Sequence, residues 1–256
     1  MVFRRAPLDP FRESWLEGAR DLMADTEGLK REAAREAVGR YVEDGMVLGL
    51  GSGSTALWVV RRLGEIISGG GLSGVRGIPT SEVTASLARE VGVPLVSLAE
   101  ERPDITIDGA DEISPGLDAV KGLGGALLRE KIVAAASRGG LVVVADDSKA
   151  VEALGTCPLP VEVEPFGYEA TFESLAALGC EPELRLDGGK NGEPFVTDGG
   201  HYTVDCRFPA IEDPAALEAE IKRLPGALDN GLFVGMIRAA VIAGGGENGG
   251  TRIVER

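Results

Sequence analysis

The sequence contains a single histidine, His201, and only three cysteines, Cys157, Cys180 and Cys206, among its 256 residues. One histidine excludes metal sites that need two histidine ligands and most catalytic schemes built on imidazole. The cysteines are odd in number and lack CxxC spacing, so we expect neither a disulfide framework nor a zinc site. Such cysteine usage favours a reducing compartment. Acid–base chemistry in this chain must therefore use carboxylates or lysine.

Long apolar runs are also missing. No stretch approaches the roughly 18 residues that span a bilayer, and the basic N-terminus is not followed by an apolar signal segment. We therefore expect a cytoplasmic protein.

Basic charge is scarce, because 26 Lys+Arg stand against 41 Asp+Glu for a formal net charge of −15. That balance argues against nucleic-acid partners and anionic membranes, both of which require basic surfaces.

The composition, 44% hydrophobic and 26% charged, is typical of a globular protein with a sizeable core. Strand candidates at 46–51, 75–79, 94–98, 104–112, which runs into an acidic turn, and 141–149 alternate with helical segments. This alternation predicts an α/β fold with a parallel, Rossmann-like sheet covered on both faces. Strand-like segments at 239–244 and 251–256 are predicted to return to the same sheet.

After Pro158 the order of predicted elements changes to β-α-β-β-α-β, which is the ferredoxin-like pattern of a smaller α+β domain. We therefore divide the chain into an N-terminal extension (1–26), a Rossmann-like catalytic domain (27–155 plus 232–256) and a ferredoxin-like lid (156–231). Thr26 is the predicted N-cap of a helix that begins at Glu27 and ends before Asp44-Gly45.

A glycine-rich loop, Gly49 to Ala56, lies between a predicted strand and a predicted helix. Unpaired N–H groups at such a helix start favour an anion, here a single phosphate, with a tight βα turn or a dinucleotide site as alternatives. A dinucleotide site also calls for an acidic residue after the second strand, and Thr80 and Ser81 stand there instead. A P-loop is excluded because no lysine follows the glycines.

Three carboxylates, Asp108, Asp111 and Glu112, follow the predicted strand Ile105 to Ile107 and so lie at the carboxyl end of the sheet, where ligands bind. Crowded carboxylates raise one another's pKa, which suits acid–base work. A solvated acidic turn and a Mg²⁺ site are the alternatives.

A second glycine-rich segment begins at Lys121 and leads into a helix that carries Glu130. In that helix an apolar stripe of Leu128, Ile132, Ala135 and Ala136 is predicted to face the core. Glu130 is about 200° from Leu128, so spacing alone predicts a solvated glutamate. Lys149, after an apolar strand, either reaches the same edge of the sheet or is an exposed loop lysine.

Five segments, taken together, closely resemble the ribose-5-phosphate isomerase A family in order and spacing: GLGSGSTA, DITIDGADEI, KGLGGALLREKIV, VVVADDSK and PLPVEVEPFG. The resemblance runs from about Lys30 to the C-terminus. It implies a Rossmann-like domain with a ferredoxin-like lid, no cofactor and no metal, and a homodimer or larger homo-oligomer. The implied activity is the interconversion of D-ribose 5-phosphate and D-ribulose 5-phosphate through an enediolate, a step of the non-oxidative pentose phosphate pathway.

The same resemblance assigns roles to residues. It makes Glu130 the catalytic base, assisted by Asp108, Asp111 and Lys121. The implied substrate-binding residues are Ser52, Gly53, Ser54, Thr55, Asp108, Gly109, Ala110, Asp111, Lys121, Gly122, Leu123, Gly124, Lys149 and Lys30. Leu123 and Leu128 stand where many members have Gly and Thr, and Arg31 could replace Lys30 near the phosphate.

Three other functions remain open at this point. Another sugar-phosphate isomerase would use the same residue types. A coenzyme A transferase on a related fold would need a glutamate nucleophile that accepts an acyl group. A sugar-phosphate-sensing regulatory module would normally carry a DNA-binding segment, and this acidic chain offers no basic recognition helix.

Overall fold

The computed structural model describes residues 10–188, 192–244 and 250–256, with backbone alone for 10–24. Its elements are α1 Pro10–Tyr41, β1 Val47–Leu50, α2 Gly53–Ser68, β2 Arg76–Pro79, α3 Glu82–Glu90, β3 Ile105–Gly109, β4 Glu112–Ile113, β5 Ala119–Val120, α4 Leu127–Ala136, β6 Leu141–Asp146, a 3₁₀ turn Asp147–Lys149, β7 Leu159–Val163, α5 Tyr168–Ala176, β8 Glu181–Leu184, β9 Tyr202–Arg207, α6 Pro214–Ile221, β10 Ala227–Asn230, β11 Leu232–Phe233, β12 Ile237–Ala243 and β13 Thr251–Glu255. Within these residues no helix has the length and apolar character of a membrane span.

The larger domain is built on a six-stranded sheet of order β13-β12-β6-β3-β1-β2. All neighbours are parallel except the edge strand β13, which pairs antiparallel with β12. The central strand β6, sequence LVVVAD, is buried along its whole length, as expected of a strand covered on both faces. The α/β class and the return of the C-terminal strands to this sheet are thereby confirmed.

Each face of this sheet has its own apolar core. On one face the helices α1, α2 and α3 pack on β1, β3, β6 and β12, with Leu48, Ile107 and Val142 among the fully buried side chains. On the other face Ala134 of α4 and Phe233 of β11 pack against β6 and β12. Helices therefore flank, on both faces, the edge of the sheet at which β1, β3 and β6 end.

The segment from β7 to β10 folds as β-α-β-β-α-β into a four-stranded antiparallel sheet of order β10-β7-β9-β8, which is the ferredoxin-like arrangement expected. A separate core around Leu159, Leu175 and Val204 holds its helices to its sheet. A small antiparallel sheet of order β11-β5-β4 connects this domain to the first. The backbone N–H of Lys121, just after β5, donates to Gly231 O at 2.9 Å, so Lys121 lies where the two domains meet.

Two local predictions are wrong. Thr26 does not cap a helix, because α1 begins at Pro10 and runs through Thr26 to Tyr41. Residues 10–26 carry no sustained apolar period to indicate this helix, although proline is common in a first helical turn; residues 1–9 of the predicted extension lie outside the described residues. The predicted strand at 94–98 is a single bridge between Leu95 and Gly77. Pro94 cannot donate, and Ser97 starts a turn closed by Glu100.

The turn between β1 and α2 lies directly against β3. A Cβ atom added to Gly51 would stand 2.0 Å from Asp108 Oδ1 and 2.1 Å from its Cγ, so only glycine lets the two strand ends approach. Asp108 Oδ1 uses that proximity to accept the backbone N–H of Ser52 at 3.0 Å. The start of α2 is thus fixed to the end of β3.

Gly51→Ala should destabilise the protein by about 1–3 kcal/mol, because the buried Asp108 carboxyl must move and lose its bond to Ser52. Urea unfolding followed by circular dichroism measures the change. Gly39→Ala is the matched control, since Gly39 lies in α1 with nothing within 4 Å of an added Cβ, and alanine is the better helix former there. A Gly51→Ala protein as stable as the Gly39→Ala protein would contradict the close approach.

Candidate active site

A cavity of about 190 Å³ opens at the carboxyl edge of the six-stranded sheet. It is bounded by residues that follow β1, β3, β5 and β6, together with residues of α1 and α4. The lining residues are Thr26, Lys30, Ser52, Gly53, Ser54, Thr55, Gly109, Ala110, Asp111, Lys121, Gly122, Gly124, Glu130, Asp146, Ser148 and Lys149. This is the position at which open α/β sheets bind their ligands.

The ammonium group of Lys121 lies at the base of this cavity and is almost fully buried. It lies 2.9 Å from Asp108 Oδ2 and 3.1 Å from Glu130 Oε2, and it donates to Gly109 O at 2.6 Å. Its remaining side contacts the Phe233 ring, whose centroid is 5.2 Å away. One buried cation therefore holds together two carboxylates from β3 and α4.

Burial shifts the pKa values of Glu130, Asp108 and Lys121. Burial raises the pKa of Glu130, and the nearby Asp108 charge raises it further, to about 8 despite the opposing effect of Lys121. Burial likewise raises the pKa of Asp108, against the attraction of Lys121. Burial lowers the pKa of Lys121, but Asp108 and Glu130 outweigh it and keep the ammonium charged. A carboxyl poised near neutral pH beside a fixed cation is the arrangement of a general base.

The spacing-based prediction for α4 is wrong, and the prediction from family resemblance agrees with the geometry. Glu130 is only 4% exposed, whereas Ile132 of the predicted core stripe is 49% exposed. The buried face of α4 carries Leu127, Ala134 and two charged residues, Glu130 and Lys131. Hydrophobic periodicity cannot find such a face, because its central positions are ionisable and their burial depends on partners distant in sequence.

The other end of the cavity has the features of an anion site. Gly53, Ser54 and Thr55 form the first turn of α2, whose N-cap, Ser52, makes no side-chain capping bond. The N–H groups of this turn have no helical partner and, with the helix dipole, favour a negative group. Gly53 has φ +84°, which favours glycine at this position.

Two lysines, Lys30 of α1 and Lys149 after β6, also line the cavity. Lys30 also pairs with Glu27 at 2.7 Å. The alternative cation, Arg31, instead lies over the Trp58 ring at 5.6 Å and does not line this cavity. Of the two candidates that the sequence left open, Lys30 is the one that lines the cavity.

The loop from Lys121 to Gly125 presents backbone donors to the cavity between these two ends. Leu123 N–H donates to Asp111 Oδ2 at 3.0 Å, and Gly125 N–H donates to Gly122 O at 2.9 Å. Among the residues that the structure describes, the N–H groups of Gly122 and Gly124 have no partner. Gly122 has φ +106°, a conformation that a side chain would strain.

Thirteen of the fifteen residues assigned from the sequence line the cavity; Asp108 and Leu123 do not. Asp108 is fully buried, and its carboxyl holds Lys121 and the N–H groups of Ser52 and Gly109. The Leu123 side chain is 41% exposed, and only its backbone takes part. Both therefore position other groups in this structure rather than face the cavity.

Three lining residues, Thr26, Asp146 and Ser148, were missed. Asp146 ends the apolar strand β6, and a polar residue in that position could have signalled it. Its Oδ1 accepts the N–H of Ser148 at 3.1 Å, and its Oδ2 is buried without a partner among the described residues. Thr26 was missed because the helix start was placed there.

The residues that flank Glu130 in sequence are both anchored in the lid. Arg129 donates to Asp198 O at 3.0 Å and pairs with Glu82 at 3.1 Å, at the start of α3. Lys131 pairs with Asp229 at 2.8 Å and with Glu218 at 2.9 Å. These contacts fix α4, and with it Glu130, between the two domains.

The acidic turn after β3 does not form a cation cage. Asp108 faces Lys121, whereas Glu112 turns away and accepts the N–H of Gly155 at 2.7 Å and a bond from Thr156. Within the described ranges, no group of three or more His, Cys, Asp or Glu side chains has the arrangement of a metal site. The Mg²⁺ interpretation of this turn is therefore not supported by its geometry.

Comparison with known proteins gives a consistent result. Residues 76–247 match the family model described as ribose 5-phosphate isomerase A (phosphoriboisomerase A). A protein named ribose-5-phosphate isomerase A from Gloeobacter violaceus is 55% identical over 90% of this chain and 97% of its own length.

Solved structures agree. A D-ribose-5-phosphate isomerase in complex with phospho-erythronic acid superposes with a TM-score of 0.85 at 37% identity, covering 90% of this chain and 99% of that one. The ribose 5-phosphate isomerase A of Methanocaldococcus jannaschii gives a TM-score of 0.83 at 40% identity, with the same coverage of both chains. Sequence, fold and site thus lead to one assignment: this chain belongs to the ribose 5-phosphate isomerase A family.

Proposed function

We propose that the cavity binds D-ribose 5-phosphate and interconverts it with D-ribulose 5-phosphate through an enediolate, with Glu130 as the base. The observation that carries this proposal is the buried ammonium of Lys121, which lies 3.1 Å from Glu130 while burial raises the pKa of that carboxyl to about 8. An aldose–ketose isomerase needs one group that both removes and returns a proton near neutral pH, and such a carboxyl meets that need.

The substrate phosphate binds at the start of α2 in this proposal. The N–H groups and hydroxyls of Ser54 and Thr55 donate to the phosphate oxygens, and Lys30 and Lys149 neutralise its charge. The phosphate end fixes the sugar so that its C1 and C2 atoms lie beside Glu130. Binding energy from this remote group then serves to orient the reacting carbons.

The sugar must open before isomerisation. Asp111 lines the cavity, and with Oδ2 engaged by Leu123 N–H its Oδ1 is left to accept a sugar hydroxyl. In the open form, Glu130 takes the proton from C2, and the C2–H electron pair forms the C1=C2 bond while the carbonyl oxygen O1 becomes an oxyanion. Glu130 then delivers the proton to C1, which takes the C1=C2 electron pair. The O2 proton passes to O1, which becomes the C1 hydroxyl, and the O2–H electron pair forms the C2=O2 carbonyl of the ketose.

The developing oxyanion requires positive charge at a fixed distance. Lys121, held in place by Asp108, supplies a full charge, and the unpartnered N–H groups of Gly122 and Gly124 supply two donors. Losing one such donor typically costs a factor of about 10²–10³ in kcat. Asp108 contributes by orienting Lys121 and the Ser52 backbone.

A coupled assay for ribulose 5-phosphate formation from ribose 5-phosphate tests the function directly. We expect turnover without added cofactor. Two of the alternatives left open by the sequence would give different results. A coenzyme A transferase forms an acyl-glutamate that hydroxylamine traps, and a sensing module binds the sugar phosphate without turnover.

Glu130→Gln should lower kcat by about 10³-fold or more, because the amide cannot accept the C2 proton. Steady-state assays measure kcat, and calorimetry should still detect binding of phospho-erythronic acid. Glu90→Gln, at an exposed position at the end of α3, is the control and should keep normal turnover. Turnover within tenfold of wild type in Glu130→Gln would remove Glu130 from the role of base.

The double variant Ser54→Ala/Thr55→Ala should raise KM about tenfold and leave kcat within about twofold, because its effect is on a group remote from the reacting carbons. Ser68→Ala, at the other end of α2, is the control and should change neither constant. An unchanged KM in the double variant would mean that the phosphate binds elsewhere.

We also propose that the protein is a cytoplasmic enzyme of the pentose phosphate pathway and forms a homodimer or a larger homo-oligomer. The cytoplasmic assignment is supported by three cysteines that are all free. The oligomeric state is supported by the family resemblance, and light scattering after size-exclusion chromatography measures it.

A further inference from the structure

Arg185 of the lid makes an unusual set of contacts. It follows β8, and its Nε donates to Asp205 Oδ2 at 2.8 Å while its Nη2 donates to Asp205 Oδ1, so the guanidinium is held by a cross-strand bidentate pair. Its remaining nitrogen, Nη1, donates to the carbonyl oxygens of Gly122 and Leu123, each at 3.1 Å. A cation fixed in the lid therefore contacts the loop that borders the active-site cavity.

The two carbonyls that accept from Arg185 belong to two consecutive peptide groups. The peptide of Gly122 C=O carries the N–H of Leu123, which donates to Asp111 Oδ2 at 3.0 Å. The peptide of Leu123 C=O carries the N–H of Gly124, a residue that lines the cavity. In a trans peptide, C=O and N–H point in opposite directions, so the guanidinium is on one side of the loop and the two donors are on the other.

A charge on the carbonyl side strengthens the donor on the opposite side, because hydrogen bonds through one peptide group polarise each other. The guanidinium remains charged at any working pH and is pre-organised by its bidentate partner. Its position also fixes the direction of both N–H groups. The lid thereby contacts the loop on the side opposite these N–H groups.

We propose that Arg185, held by Asp205, is a positioning residue of the isomerase: it polarises and orients the Leu123 and Gly124 N–H groups, so that one fixes Asp111 and the other stabilises the enediolate oxyanion. The inference rests on the proposed function, because it requires an oxyanion at the N–H of Gly124. It gives the lid a part in transition-state stabilisation.

Packing around the same loop supports a fixed geometry. The ring of Phe195, also from the lid, lies over Gly125 so closely that an added Cβ would stand 2.4 Å from it, and Arg185 lies 5.9 Å from the centroid of that ring. Arg185 and Asp205 side chains are only 14% and 20% exposed. The Arg185–Asp205 pair is therefore largely shielded from water, and a charge acts more strongly on a neighbouring peptide in such a place.

The test compares Arg185→Met, Arg185→Lys and Asp205→Asn with wild type, and uses Arg207→Met, an exposed arginine at the end of β9, as the matched control. The measurements are kcat, KM for ribose 5-phosphate, and inhibition constants for phospho-erythronic acid and for inorganic phosphate. The carboxylate of phospho-erythronic acid stands in for the enediolate oxygens, whereas inorganic phosphate probes only the anion site.

In Arg185→Met we expect kcat to fall about tenfold, less than for direct loss of an oxyanion donor, and the inhibition constant of phospho-erythronic acid to rise about as much. Inhibition by inorganic phosphate should stay within twofold. Arg185→Lys and Asp205→Asn should give the same pattern with smaller losses, because each keeps part of the charge or of its orientation. Arg207→Met should match wild type.

Two results would overturn the inference. In the first, the Arg185→Lys and Asp205→Asn proteins both fold and keep wild-type kcat and wild-type affinity for phospho-erythronic acid. This result refutes the inference even if Arg185→Met does not fold. The other is a parallel loss of phosphate affinity in all three variants, as expected of a merely structural role. A wild-type protein without isomerase activity would instead refute the proposed function.

Discussion

The burial of one ammonium group organises this molecule. Lys121 lies at the junction of the two domains and binds Asp108 at the end of β3, Glu130 on α4 and the carbonyl of Gly109. Burying a lone charge is strongly unfavourable, so a lysine in this position requires both carboxylates. Burial raises the pKa of Glu130, and the neighbouring Asp108 charge raises it further, so this acid retains its proton more readily beside the shared cation.

The same charge balance connects catalysis to architecture. Asp108 can hold Lys121 only because Gly51 lets β1 approach β3, and its other oxygen fixes the start of α2, where the phosphate is proposed to bind. Glu130 can face Lys121 only because Lys131 and Arg129 are anchored to lid carboxylates and carbonyls. The lid is therefore part of the framework that positions Glu130, the proposed base.

Much of this could be predicted from the sequence, and the failures have physical causes. Apolar strands such as β6 and glycine-rich turns at strand ends are local signals, and they located the sheet and its carboxyl edge. The burial of Glu130 and Lys131 was not a local signal, because ionisable groups can be buried only when partners neutralise them. Lys121, after β5, neutralises Glu130, and carboxylates of β10 and α6 neutralise Lys131. Family resemblance identified Glu130 where periodicity predicted a solvated residue.

The residues missed by sequence reasoning have roles that depend on surroundings created by the tertiary fold. Arg185 follows a lid strand and belongs to no motif, and Asp146 looks like an ordinary strand end. Lys30 could not be separated from Arg31 until the packing of Arg31 on Trp58 was seen. Such contacts follow from the tertiary fold and leave no pattern in a single sequence.

The central claim, that burial beside Asp108 raises the pKa of Glu130, the proposed base, against the effect of Lys121, can be measured at the atom concerned. In protein labelled with ¹³C at the side-chain carboxyl of glutamate, the signal of Glu130, assigned by its absence from the Glu130→Gln protein, can be followed by NMR from pH 4 to pH 10. The account predicts a midpoint near 8, and a lower midpoint when Asp108 is replaced by asparagine. A Glu130 midpoint near 4.5, the value of an ordinary glutamate, would contradict it.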